Sequence, residues 1–297
     1  MKNVKIALFF VLMFFLVSIP CYAAPPADMG KVVQEYRLVD LTLTLDEMTP
    51  VSWPTHVPFQ RKIFNYYDEV QVPAGNTVLS GKNGPYYTET LIVDEHTGTH
   101  FDAPNHFIPP AGSGFKHEAE VGKITGDKVD LNRLMGNAVV IDVTSLSGTG
   151  GNGISPWIQP SHIKAWEDKN GKIQAGEVVL FFTGWDEYCV AGEGGKDYVY
   201  NSFVAGKKPG WPSPSVEAMQ YLYERGVVCV GTDGPSMGAA HEGAPVHWFG
   251  LGKGILYVES LTNLDKLPPR GSYFMFMPLK VVGSSGCPGR AVAFAPK

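Results

Sequence analysis

Between His96 and His106 the chain sets three imidazoles and a carboxylate in one short run: His96, His100, Asp102 and His106. Imidazole and carboxylate are donors that Zn²⁺ and Mn²⁺ accept, and a site needs several of them to converge. Gly98 and Pro104 punctuate the run, so it reads as a bent loop rather than an ordinary helix or strand. Such a loop turns side chains that are close in sequence toward one point. A divalent ion that keeps a water position lowers the pKa of that water to roughly 7. The run therefore reads as the core of a hydrolytic metal site.

The amino terminus constrains where such a site would work. Met1 to Ala23 has the layout of a secretory signal peptide: Lys2 and Lys5 at the start, an apolar stretch from Ile6 to Ile19, and Cys21-Tyr22-Ala23 before a cleavage point after Ala23. The stretch is shorter than the roughly 20 residues that a spanning helix needs. The reading is an exported, periplasmic protein with no membrane attachment after cleavage. Residues 24–297 remain as one domain, long enough to bury a substantial core. Losing the two lysines takes the formal net charge from −5 to −7. With no long basic patch, nucleic acid and anionic membrane are excluded as expected partners. Of four cysteines, Cys21 leaves with the signal. Cys189, Cys229 and Cys287 cannot all pair, so this is no disulfide scaffold. Cys229, inside Val227-Val228-Cys229-Val230, reads as a buried core thiol, and a single Cys189–Cys287 bond stays open.

Strand-like runs dominate the remainder: 37–45, 87–94, 137–143, 177–183, 227–231, 255–259 and 272–279. Two helices are expected. One runs from Pro160 to Lys169, with Ser161 as N-cap and Asn170-Gly171 as its end. The other runs from Pro214 to Arg225, capped by Ser213 or Ser215, with Val216, Met219, Leu222 and Tyr223 on one face and Gly226 as stop. It feeds the strand at 227–231. The span Tyr198 to Pro214 reads as irregular, and loops that long usually serve a site. The fold class is α+β, with more strand than helix in a single domain.

Three other places bear on the site. Taken alone, Glu259 reads as a solvated charge at a strand end and His247 as a packed histidine beside Trp248 and Phe249. His241-Glu242 suggests a zinc-protease helix, but that motif needs a second histidine four residues on. Position 245 is Pro245, which also breaks a helix. Asp233, before Gly234-Pro235, is either an ordinary turn residue or a support behind the site. There is no Gly-x-Ser-x-Gly elbow, phosphate loop or dinucleotide fingerprint. Loop aromatics such as Trp53 could wall a pocket for a flat ring.

The run His96-Thr97-Gly98-Thr99-His100-Phe101-Asp102-Ala103-Pro104-Asn105-His106 resembles the signature of the cyclase-family metal-dependent hydrolases, which include bacterial kynurenine formamidase and isatin hydrolase. Leu38-Val39-Asp40-Leu41-Thr42, the block 230–236 and the block 278–290 are similar to other segments of that family. The resemblance implies a compact β/β/α fold around a barrel-like mixed sheet, in homodimers. It implies that His96, His100 and Asp102 are ligands of a first ion, with Asp102 able to bridge two. His106 would be the proton-shuttling catalytic histidine, and Trp53 would border the substrate. In formamidase-type members a His and a Glu twelve positions apart hold a second ion, and His247 and Glu259 have that spacing. The cofactor is then Zn²⁺ or Mn²⁺, as one or two ions. The activity implied is hydrolysis of a C–N bond in an aryl formamide or cyclic amide, with a small aromatic amide as substrate. A lactone- or ester-cleaving enzyme on the same scaffold, and a non-catalytic periplasmic metal- or ligand-binding protein, stand as alternatives. Export and the long stretch 145–214 depart from the compact formamidases.

Overall fold

The computed structural model describes residues 28–67 and 84–297. The expected signal peptide at 1–23 lies outside the described residues. The elements in chain order begin with α1 (Met29–Gln34), β1 (Tyr36–Asp40), β2 (Gln60–Tyr66), β3 (Tyr87–Ile92), β4 (His100–Asp102), β5 (Met135–Asp142) and β6 (Trp157–Ile158). They continue with α2 (Pro160–Asn170), β7 (Val178–Phe182), β8 (Ser213–Pro214), α3 (Val216–Glu224), β9 (Cys229–Thr232), α4 (Ala244–Gly252), β10 (Leu256–Glu259), β11 (Ser272–Pro278) and β12 (Gly286–Pro296). Among the described residues no helix is long and apolar enough to cross a membrane.

Seven strands close into a mixed barrel in the order β12-β11-β5-β7-β9-β10-β4, because β4 also pairs with β12. The strands β5, β7, β9 and β10 run parallel, and the other pairings in the ring are antiparallel. Parallel neighbours need long crossovers. Here α2, α3 and α4 lie on those crossovers and cover the outer wall. β1 extends the sheet by pairing with the far half of β12.

The period of two along each strand divides two cores. Phe101, Ala138, Val140, Leu180, Cys229, Val258, Phe274 and Phe276 fill the barrel. Val139, Ile141, Val179, Phe181, Val230 and Tyr257 face outward and pack under Ile163 and Trp166 of α2, Met219 and Leu222 of α3, and Val246 and Leu251 of α4. Each fully buried large apolar side chain contributes about 1.5–3 kcal/mol. Because the interior is filled, the barrel is a wall and not a channel, and a site has to be built on its outside.

All seven expected strand runs are found, with ends shifted by up to five residues in either direction from those expected, and both expected helices form. The run 96–106 is not wholly a loop: His100–Asp102 is a strand in the ring, paired on both sides. The helix at Pro160 is capped by Gln159 and not Ser161, with Gln159 and His162 forming a reciprocal capping box. The later helix begins at Val216, with Ser215 Oγ accepting from Ala218 N. Strands β2 and β12 and helix α4 were not anticipated. Cys189, Cys229 and Cys287 are free thiols, so the Cys189–Cys287 bond is absent; Cys229 is buried as expected.

Candidate metal centre

Strand pleat brings the donors together. In β4 the central Phe101 points into the barrel, so His100 and Asp102 emerge on the outer face. β10 lies antiparallel beside it, with Glu259 opposite His100 and Tyr257 opposite Asp102. Val258 points inward with Phe101, which sends Glu259 outward next to His100. His247 reaches the same spot from α4, its ring stacked on Phe107 at 4.3 Å between centroids. His96 arrives across a turn at Gly98, whose φ of +60° suits glycine and where a Cβ would collide with Leu45. A short turn at Pro104–His106 folds His106 back over His96, the rings stacked at 3.9 Å.

The resulting cluster is compact and nearly dry. Asp102 Oδ1 is 3.0 Å from His96 Nδ1 and 3.6 Å from His100 Nε2, and Asp102 Oδ2 is 3.6 Å from His247 Nε2. Glu259 Oε2 is 3.5 Å from His100 Nε2, and Oε1 is 3.4 Å from His247 Nε2. Asp102 is fully buried and neither of its oxygens receives a well-aligned hydrogen bond. An orphaned buried carboxylate is costly unless something positive meets it. The imidazoles are oriented to leave room for that. His100 Nδ1 donates to Gly98 O at 2.8 Å and His247 Nδ1 donates to Gly243 O at 2.8 Å. A carbonyl only accepts, so in each neutral ring Nε2 carries the lone pair that faces the carboxylates. His96 is braced from behind: its Nε2 is 3.0 Å from Ser285 Oγ, which donates to Glu95 Oε2 at 2.6 Å. Two triads of donor atoms, His96-Asp102-His106 and His100-Asp102-Glu259, each lie within coordination reach and share Asp102. A divalent cation fits this donor set.

The electrostatics agree. Burial opposes charge on Asp102, yet His106, His247 and His96 hold its carboxyl well below the ordinary range. Burial likewise opposes charge on His247, but Asp102 and Glu259 push it up to about 10, and His100 moves upward for the same reason. Two buried carboxylates demand positive charge, and they draw protons onto the imidazoles when no cation supplies it. His106 differs: burial outweighs the pull of Asp102 and lowers it to about 4.

His96, His100, His106, His247 and Glu259 border a cavity of about 290 Å³, with Asp102 buried behind them. Trp53 lines it, packed against Phe203 at 4.7 Å and Trp211 at 6.1 Å. Tyr198, Val199 and Phe203 from the long irregular span form the facing wall. Asp233 does not touch the donors. It is buried beneath the wall, where its carboxylate accepts from Thr183 N, Thr183 Oγ1 and Gly184 N. Burial raises it to about 7 despite those bonds. Its carbonyl accepts from Tyr198 Oη at 3.2 Å, and Tyr198 Oη is 3.0 Å from Ser260 Oγ, beside Glu259. His241 stands elsewhere, its Nδ1 accepting from Ser155 N and its ring against Trp157. Sequence reasoning missed Glu95, Ser285 and His56. Only the proximity of Glu95 to His96, and the place of Ser285 inside the quoted block 278–290, hinted at the first two.

The sequence profile of the family described as "Putative cyclase" matches residues 39–239. An isatin hydrolase of Roseibium aggregatum is 33% identical over 223 residues, 72% of this chain and 78% of that protein. A kynurenine formamidase of Salinibacter ruber is 30% identical over 210 residues, 68% of this chain and 77% of that protein. The crystal structure of an isatin hydrolase bound to the product analogue thioisatinate superposes with a TM-score of 0.72 at 27% identity, covering 91% of this chain and 97% of that one. The isatin hydrolase A of Ralstonia solanacearum gives a TM-score of 0.70 at 27% identity, covering 93% of this chain and all 100% of that one. The fold is therefore the closed mixed barrel of the cyclase-family hydrolases. This chain belongs to the cyclase family.

Proposed function

We propose that the protein is a metal-dependent hydrolase that cleaves the C–N bond of a cyclic aryl amide or an aryl formamide. The observation that carries this is the convergence of His96, His100, His106, His247 and Glu259 around the buried Asp102, whose oxygens lack hydrogen bonds, beside an aromatic-walled cavity. Similarity to an isatin hydrolase and a kynurenine formamidase supports the choice of bond. His96, His100 and Asp102 would hold one Zn²⁺ or Mn²⁺, and His247 and Glu259 would complete it or hold a second. When bound, the ion supplies a Lewis acid that activates water and polarises a carbonyl.

The chain's own residues do the remaining work. Trp53 and Phe203 receive the flat ring and set its plane over the donors. The His106 ring has no hydrogen-bond partner among the described residues, so the imidazole is free to take a proton from the attacking water and return it to the departing nitrogen. Ser285 and Glu95 fix the His96 ring. We read residues 1–23 as an export signal and the working form as a homodimer.

Metal analysis of the purified protein, with an isatin-type ring, an aryl formamide and an aryl lactone as substrates, tests the reading. Turnover of one of the amides should vanish with chelator and return with added metal. Preferential lactone turnover would replace amide by ester cleavage, and bound metal with no turnover at all would favour a binding protein. Ser285→Ala should weaken metal binding about 10- to 100-fold in a metal titration, because it removes the brace behind a ligand. An unchanged affinity would take Ser285 and Glu95 out of the site.

A further inference from the structure

We propose that His56 is a specificity-determining residue: its Nε2 accepts a hydrogen bond from the ring N–H of a cyclic secondary amide, and so selects that amide over its N-alkylated and lactone counterparts. The inference rests on the functional reading above and adds a residue to it.

His56 enters the cavity wall on a tight turn, its backbone N donating to Trp53 O at 2.9 Å. One turn thus carries both the aromatic wall and an imidazole beside it. The ring stands edge-on to His96 at 6.3 Å between centroids, close to the donor cluster without belonging to it. Its Nδ1 is 3.0 Å from Asp94 Oδ1. A carboxylate only accepts, so Nδ1 carries the hydrogen, and in the neutral ring Nε2 is left as a lone-pair acceptor.

Asp94 is itself anchored, because the same Oδ1 accepts from His96 N at 2.9 Å and Asp94 N donates to Thr97 Oγ1 at 3.2 Å. The tautomer is therefore set by the loop that holds the first donors. Among the described residues Nε2 has no partner. A surface histidine paired with a nearby acid is the simpler description of such a contact, and the side chain is 35% exposed. What that description leaves unused is an acceptor of fixed tautomer on a ring that lines the cavity holding the donors.

Such an acceptor discriminates by what the substrate lacks. A cyclic secondary amide offers one ring N–H to it. A lactone places an oxygen lone pair there, and an N-methyl group covers the position. Losing one such bond at a partly wet wall is worth about tenfold in discrimination.

The test compares isatin, a flat ring with one N–H, with N-methylisatin on the metal-loaded enzyme at pH 8. The ratio of kcat/KM for the two rings cancels general damage to the site. It should fall about tenfold in His56→Ala and partly recover in His56→Gln, whose Oε1 is again an acceptor. A ratio that agrees within twofold between wild type and His56→Ala overturns the inference while leaving the hydrolase reading intact. If neither ring is turned over, that reading fails by itself. The ratio of dissociation constants for the two rings, followed by tryptophan fluorescence on the same three proteins, then decides the role of His56 by the same twofold criterion.

Discussion

His106→Ala should keep its metal and lose about 10²–10⁴ in kcat, the range expected when a positioned acid–base group is removed. Five other donors surround Asp102 or include it, so metal content by elemental analysis should match wild type. The His106 ring is held by stacking on His96 and edge contact with Phe107, with no hydrogen bond to fix it as a structural element. Substitution should therefore leave the thermal midpoint nearly unchanged. If metal content fell along with activity, His106 would be a ligand of the His96-Asp102 triad instead.

Asp102→Asn should have the larger consequence, because it removes the one carboxylate that every imidazole of the cluster faces. The change is isosteric, so the cavity keeps its shape while the charge that attracts a cation disappears. Bound metal and turnover should both drop to background. Stability gives a readout independent of activity. At a hundredfold excess over its dissociation constant, a metal that binds only the folded wild type adds about 2.7 kcal/mol. That corresponds to a rise of several degrees in thermal midpoint for a domain of this size. Asp102→Asn should show no such rise on adding Zn²⁺ or Mn²⁺. A variant still stabilised by metal would place the ion elsewhere.

How much of this could be read beforehand depends on the range over which the cause acts. β5, β7 and β9 are β-branched and apolar runs bounded by turn residues, so their pattern is local and legible. β12 is the longest strand among the described residues, yet it opens Gly286-Cys287-Pro288-Gly289, a sequence that locally says turn. Gly286 is there because a side chain would collide with the Phe101 carbonyl and sit 2.8 Å from His96 Cε1. Only the fold shows that reason. Helix α4 tolerates Pro245 because it lies in the first turn. Gly250 and Gly252 are poor formers, and their helix is set by packing of Val246 and Leu251 on the barrel.

The centre divides in the same way. His96, His100, Asp102 and His106 share a short run, so their convergence was visible as composition. His247 and Glu259 became ligands only through resemblance and a spacing of twelve; taken alone, Glu259 read as solvated, and it is buried. His56, Glu95 and Ser285 escaped because separations of 38 and 190 residues bring them to their hydrogen-bond partners, and ordinary surface polar residues look the same in a string of letters.

The donors hang from the barrel wall and α4, whereas the far side of the cavity is made of the turn at 50–56 and the span at 198–203. On the proposed function, chemistry and selectivity fall to separable parts of one chain. Evolution, or an engineer, could exchange those two loops to reach new rings without disturbing the machinery that breaks them. The rigid cylinder would act as a chassis on which substrate preference is rewritten from outside.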